Sequence, residues 1–221
     1  MRRRGLRPSV DSMYVPKPNA ISDEAEIRAF VREVGAAEVV TIGADGYPLA
    51  TLLPIVWEAD RVIGHFARAN THWAHIADGA PVLLVVRGPH AYVSPSWYAA
   101  KKEHGRVVPT WNYSAVQMRG RASIFRDSAM LREAVTLLTN AHEGAREQPW
   151  AVTDAPSAYL ESMLKAIVGI EIRIEDVAGK AKLSQNRSIE DRRGVIDGLR
   201  DGGDFRGEHR VADEMIRSLM D

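Results

Sequence analysis

The 221-residue chain contains no cysteine. Disulfide bridges, thiolate zinc sites, iron–sulfur ligation and cysteine catalysis are therefore excluded. A chain of this length buries a sizeable core without such staples. Net charge is missing too. The 29 Lys and Arg residues balance 29 Asp and Glu residues, so bulk charge gives no sign of a broadly basic nucleic-acid-binding surface. No apolar run approaches the roughly 20 residues that span a bilayer. Arg2, Arg3, Arg4 and Arg7 make the N-terminus basic, but no apolar segment of a secretory signal follows them. The expectation is a cytoplasmic protein with no membrane partner. The sequence also lacks a GxxxxGK[ST] phosphate loop, a GxGxxG fingerprint and a nucleophile elbow.

What is present is an ordinary globular composition, 45% apolar and 26% charged. Residues 1–12 read as a disordered basic tail. Ser22 is a plausible cap for a helix over 23–34, with Ile27, Phe30, Val31 and Val34 on one face and Gly35 at its end. Apolar, β-branched runs at 37–42 and 48–57 flank the turn Ala44-Asp45-Gly46, and Ala59-Asp60 leads into a third strand over 61–67. Asn70 and Thr71 cap a short helix over 71–78. Strands are expected at 81–86, 92–94, 116–125 and 168–174, with irregular polar chain over 95–111 between them. Helices are expected at 128–142, 156–167, 188–200 and 208–220, the third opened by a capping-box pattern at Ser188 and Asp191.

This order gives an α+β fold, an antiparallel sheet or barrel with flanking helices and a helical C-terminal region. The expected organisation is a basic tail over 1–12, a barrel domain over 13–180 and a helical segment over 181–221 packed on the barrel. The strands at 49–57 and 81–86 are apolar on both faces. A small barrel has one inside, so the second face needs a helix or another subunit, and a homodimer is expected.

Three segments carry possible chemistry. The window 92–113 holds Tyr92, Trp97, Tyr98, Trp111 and Tyr113, five of the fifteen aromatic residues, in loop-like sequence. They fit either a loop packed down by its own rings or the wall of a pocket for a flat ligand. His65-Phe-Ala-Arg68-Ala-Asn70-Thr71 runs from a strand into a helix start, where Arg68 offers a planar fork to an anion. Lys182-Leu-Ser-Gln185-Asn186-Arg187 brings donors and acceptors between a strand and a helix. His72 and His75 stand one helical turn apart, but no carboxylate follows at ligand spacing, so no metal site is expected.

Taken together, Met13-Tyr-Val-Pro16, Thr51-Leu-Leu-Pro54, His65-Phe-Ala-Arg-Ala-Asn70, Val93-Ser-Pro-Ser-Trp-Tyr98, Val108-Pro-Thr-Trp-Asn-Tyr113 and Lys182-Leu-Ser-Gln-Asn-Arg-Ser188 resemble the PaiB-like family of FMN-binding negative transcriptional regulators. Thr71 stands where the resemblance leads one to expect proline. The resemblance implies a dimeric flavin-binding split β-barrel with FMN near the subunit interface. It places His65 and Arg68 at the phosphate, with Thr51 and Leu52 on the adjacent strand. Trp97, Tyr98, Trp111 and Tyr113 would line the isoalloxazine or the space above it, and Lys182, Gln185 and Asn186 would contact the ribityl chain or ring edge. Three functions follow from it. One is a regulator that binds DNA and senses flavin or redox state. Another is an FMN-dependent oxidoreductase acting with NAD(P)H or a flat small-molecule substrate, with Lys182 near the flavin ring. The third is haem binding or degradation, with His209 as the candidate ligand.

Overall fold

The computed structural model describes residues 13–202 and 207–220; the expected tail over 1–12 lies outside the described residues. Seven strands form one sheet: β1 (Ala20–Ile21), β2 (Ala36–Ile42), β3 (Pro48–Glu58), β4 (Arg61–Ala67), β5 (Ala80–Val93), β6 (Thr110–Phe125) and β7 (Ile167–Lys182). Their order is β1-β7-β4-β3-β2-β5-β6, and β6 pairs with β7 as well, which closes the sheet into a barrel. Every pairing with a defined register is antiparallel. Six helices accompany it: α1 (Glu24–Val34), α2 (Ala100–Glu103), α3 (Ser128–Glu143), α4 (Ser157–Lys165), α5 (Ile189–Asp201) and α6 (Glu208–Met220). The α+β barrel expected from the strand order is thus present.

Local chemistry explains most boundaries. Gly35 ends α1 at φ +66°, a conformation costly for any residue with a Cβ. Gly46 at φ +83° turns β2 into β3, and the Asp45 side chain accepts from the Tyr47 N–H. Asp127 Oδ1 accepts from the N–H groups of Ala129 and Met130 and caps α3. At α5 the Ser188 hydroxyl accepts from the Asp191 N–H, but the Asp191 carboxylate does not complete the capping box. It accepts instead from the Ala100 N–H at the start of α2.

Four expectations need correction. The strands at 81–86 and 92–94 are one strand, β5, which continues through Gly88 and Pro89. β6 begins at Thr110 rather than 116, and β7 runs on to Lys182 rather than ending at 174. In these extensions polar residues occupy buried strand positions, so alternation in hydropathy fails while the backbone stays paired. The helix expected over 71–78 is only a 3₁₀ turn over Thr71–His75, which gives way to extended backbone at Ile76.

The chain groups into two compact units built from interleaved segments. The first comprises 24–86 and 117–177. Its interior is filled by Val39, Val62, Phe66, Leu84, Val86, Met118, Ala122 and Val168, all fully buried. Each of the large ones contributes about 1.5–3 kcal/mol by leaving water. Gly120 and Gly169 let strands and rings approach closely. A Cβ on Gly120 would overlap the Arg173 carbonyl oxygen, and one on Gly169 would overlap the Phe125 ring. The second unit comprises 13–23, 87–116 and 178–221. Its core joins Ala91, Val93, Tyr98 and Leu183 to Val195, Ile196 and Leu199 of α5 and Val211, Ala212 and Met215 of α6.

In the first unit the outward side of β5-β2-β3 is apolar except for Glu38. The register sets Ile42 beside Pro48, Val40 beside Ala50, Glu38 beside Leu52 and Ala36 beside Pro54. Leu83 and Val85 continue the row on β5. Leu52 is 67% exposed and Ile42 62% exposed.

Candidate functional site

In the first unit the end of β4 and the turn after it gather a polar cluster. His72 is buried at 5% exposure between two threonines. Thr41 Oγ1 lies 2.8 Å from its Nε2 and Thr51 Oγ1 2.8 Å from its Nδ1. Asn70 accepts from the His72 N–H through Oδ1 and donates to Thr51 Oγ1 through Nδ2, over 3.3 Å. The imidazole and the Phe66 ring meet in a T-shaped arrangement, 5.3 Å between centroids. This arrangement suits a neutral imidazole, which has one donor and one acceptor nitrogen for the two hydroxyls. Burial, and secondarily the charge of His75, holds its pKa below the usual value. His75 lies on the same 3₁₀ turn.

His65 stands opposite Gly169 in the β4–β7 ladder. Its Nδ1 is buried without a hydrogen-bond partner, and burial lowers its pKa as well. Arg68 reaches across to the end of α4: Nε donates to the Lys165 carbonyl at 2.6 Å and Nη2 to the Ile167 carbonyl at 3.1 Å. Two fixed bonds orient the fork and leave Nη1 free to meet an anion. Leu52 lies on the outward apolar side described above.

These two histidines predict a pH dependence. Their folded-state pKa values lie below the unfolded value of about 6.5. The folded protein therefore binds fewer protons than the unfolded chain near pH 6. Stability is complete above about pH 6.5 and falls as the pH drops through that value. Urea midpoints at pH 7.5 and 5.5 are expected to show this loss, and His72→Gln is expected to flatten it. An unchanged pH slope in that variant would remove His72 as its source.

In the second unit the structure sorts the predicted residues onto opposite faces of the sheet. One face is covered by α5 and α6. Asn112 donates to Met215 Sδ and accepts from the Ser184 hydroxyl, and Ser114 donates to Glu214. Trp97 and Tyr98 belong to this side. Trp97 lies against α5 so closely that a Cβ on Gly198 would enter its ring, and one on Gly194 would meet its carbonyl. Tyr98 is buried in the core at 2% exposure, with the Arg187 guanidinium 4.6 Å from its ring centre.

The other face carries Trp111, Tyr113, Lys180 and Lys182. Trp111 is stacked on His90, with centroids 5.6 Å apart and planes at 26°. Lys182 Nζ donates to Thr110 Oγ1 at 2.5 Å and to the Trp111 carbonyl at 2.6 Å. Lys180, which sequence reasoning missed, is 6% exposed. Its Nζ donates to the Tyr14 carbonyl at 2.9 Å and stands 5.4 and 5.2 Å from the Tyr14 and Tyr113 rings. The signal that could have found it was the spacing: 180 and 182 share one face of any strand that includes both. Gln185 braces its own turn, accepting from the Leu183 N–H and donating to the Ala181 carbonyl. Asn186 is exposed. His209 Nε2 lies 3.2 Å from the Arg200 carbonyl.

Residues 13–176 match the family described as "Putative FMN-binding domain". The chain belongs to this FMN-binding family. A relative in Bacillus subtilis (strain 168), "Protease synthase and sporulation protein PAI 2", is 39% identical over 191 residues, covering 85% of this chain and 89% of that protein. An uncharacterised protein of Aspergillus fumigatus is 41% identical over 134 residues, covering 53% of this chain and 51% of its own length. Among solved structures, a flavocytochrome from Azotobacter vinelandii has a TM-score of 0.55 at 19% identity, over 77% of this chain and 73% of that one. The FAD and heme binding protein from Mycobacterium smegmatis has a TM-score of 0.52 at 14% identity, over 72% and 71%. These likenesses show the fold, a split barrel shared with flavin- and haem-binding proteins.

The family assignment makes FMN its cofactor, and the first unit fits that group. Arg68 would offer a phosphate the fork fixed by the Lys165 and Ile167 carbonyls. Thr51 and Asn70 supply hydroxyl and amide groups suited to a ribityl chain, and the orphaned His65 Nδ1 is a buried polar atom that a ligand hydroxyl would satisfy. The family match ends before Lys180, Lys182, Gln185 and Asn186.

No described helix is long and apolar enough to cross a membrane.

Proposed function

We propose that this family member is a homodimeric FMN-binding negative regulator of transcription, in which bound flavin reports the flavin or redox state of its surroundings. The observation that carries the flavin site is Arg68, held by the carbonyls of Lys165 and Ile167 with Nη1 left over. Arg68 holds the phosphate, Thr51 and Asn70 orient the ribityl chain, and His65 Nδ1 gains a partner. When bound, FMN supplies one- and two-electron redox chemistry. The outward apolar side of β5-β2-β3 supports the dimer, because its exposed leucine and isoleucine gain a cover in a symmetric interface. The regulatory output is supported by the Bacillus relative, whose name describes sporulation and protease production.

Replacing Arg68 with alanine is expected to weaken FMN binding by about 1–3 kcal/mol, the range for a lost charge-assisted bond. Equilibrium titration of flavin fluorescence measures it, and unchanged affinity would take Arg68 out of the site. The regulatory output is tested with the FMN-loaded protein and DNA from upstream of its own gene. Sequence-specific binding that survives about 0.15 M salt and changes when the flavin is reduced supports the reading. Sustained flavin-dependent NAD(P)H oxidation without specific DNA binding would replace it with the oxidoreductase alternative. The observation favouring that alternative is the Lys182 ammonium, a fixed positive group of the kind that stabilises a reduced flavin.

A further inference from the structure

On the second unit's sheet, the face opposite α5 and α6 carries two neighbouring lysines. Lys180 and Lys182 project from the same side of β7, roughly 7 Å apart along the strand. Neither has a carboxylate partner among the described residues. An ammonium has three donors. Lys182 uses two of them, on Thr110 Oγ1 and the Trp111 carbonyl. Lys180 uses one, on the Tyr14 carbonyl, and is otherwise enclosed by two aromatic rings. Water screens a group enclosed in that way poorly.

The aromatic part of the face is equally specific. Trp111 is 38% exposed, with one side of its ring system backed by His90. His90 Nδ1 is buried without a partner. Tyr14, beside Lys180, is 80% exposed. An indole held from behind offers its other side to a flat ring.

We propose that this face binds a planar aromatic carboxylate: the carboxylate accepts from the third N–H of Lys182, Lys180 supports it with charge from beneath, and the ligand ring stacks on Trp111. The two lysines repel each other, and that repulsion adds to burial in holding Lys182 below the usual lysine range. A bound carboxylate relieves it. The site goes beyond the flavin reading: it uses none of Arg68, Thr51, Asn70 and His65, on which that reading rests, and it gives Lys182 and Trp111, which the resemblance carries to the flavin, to a second ligand.

The test uses the full chain, with and without saturating FMN, and three probes: benzoate, cyclohexanecarboxylate and inorganic phosphate. Calorimetry reads binding, and tryptophan fluorescence reads stacking. Benzoate is expected to bind one per chain, tighter than either other probe, whether or not FMN is present. Lys182→Met is expected to weaken it on the order of tenfold or more, as loss of a charge-assisted bond requires. Lys180→Met and Trp111→Leu are expected to weaken it several-fold, while Lys101→Met on α2 leaves it unchanged. Thermal midpoints confirm that each variant is folded.

Four results would overturn the proposal: no benzoate binding, equal affinity for cyclohexanecarboxylate, wild-type affinity in both Lys182→Met and Trp111→Leu, or one-for-one displacement of benzoate by FMN. The last would assign the face to the flavin itself. FMN retention, read separately by visible absorption, distinguishes failure here from failure of the flavin reading.

Discussion

Gly120→Ala is expected to destabilise the barrel by about 3 kcal/mol, the upper end of the range for overpacking a core. The added methyl would overlap the Arg173 carbonyl oxygen and press on the Ile172 side chain. Arg173 belongs to β7, which pairs β4 as well as β6. Its carbonyl cannot yield without disturbing ladders on both sides, whereas a flexible side-chain tip could swing away. For a protein of this size the thermal midpoint should fall by roughly 6–12 °C. Gly202→Ala is the control. Its added methyl would meet nothing closer than 3.5 Å, at an ordinary backbone conformation, and its midpoint should hardly move. Equal midpoints for both variants would show that β6 and β7 separate more easily than their pairing indicates.

Leu52→Glu is expected to convert the proposed dimer to a monomer. Leu52 stands directly across the β2–β3 ladder from Glu38, so the substitution sets two carboxylates side by side on an apolar surface. Like charges in that position repel, and a two-fold interface repeats the pair. Burying an unpaired carboxylate costs several kcal/mol per ion, comparable to the whole association energy of a modest dimer. Light scattering should give twice the 24.4 kDa chain mass for the wild type and the single mass for the variant. Leu52→Ala, which removes area but adds no charge, should weaken the dimer without abolishing it. A wild-type mass equal to one chain would end the dimer proposal, and an unchanged dimer in Leu52→Glu would move the interface off this face. If the dimer helps to hold flavin, FMN retention should fall together with the mass.

Much of the fold was legible in the residues. Strand β4 and helix α6 lie where turn chemistry and periodicity put them: β4 follows the Ala59-Asp60 turn, and α6 buries one stripe of Val211, Ala212 and Met215. Glycine at positive φ marked the end of α1 and the β2–β3 turn, and the Asp127 cap marked the start of α3. The flavin-binding family was legible too, through short segments whose residue types are specific as a set.

The sequence left open how far β5, β6 and β7 run, since Asn112 and Ser114 look like loop residues until their partners on the neighbouring segment and α6 are known. It also left open which aromatics share a face. Trp97, Tyr98, Trp111 and Tyr113 are close in sequence and look like one wall, yet the first pair packs toward α5 and α6 while the second turns to the lysine face. Reading along the chain reveals strand alternation only when hydropathy alternates with it, and here polar residues with buried partners broke that pattern. The amino-acid sequence alone determined the barrel class, the Ser188 cap of α5 and the flavin-binding family, because those depend on local periodicity and on residue identity. Only the tertiary structure decided that His72 is buried between the hydroxyls of Thr41 and Thr51, that Arg68 is braced at the end of α4, and that Lys180 and Lys182 have no carboxylate partner among the described residues. Each of those depends on side chains brought together across strands, where burial and the available partners set charge and orientation.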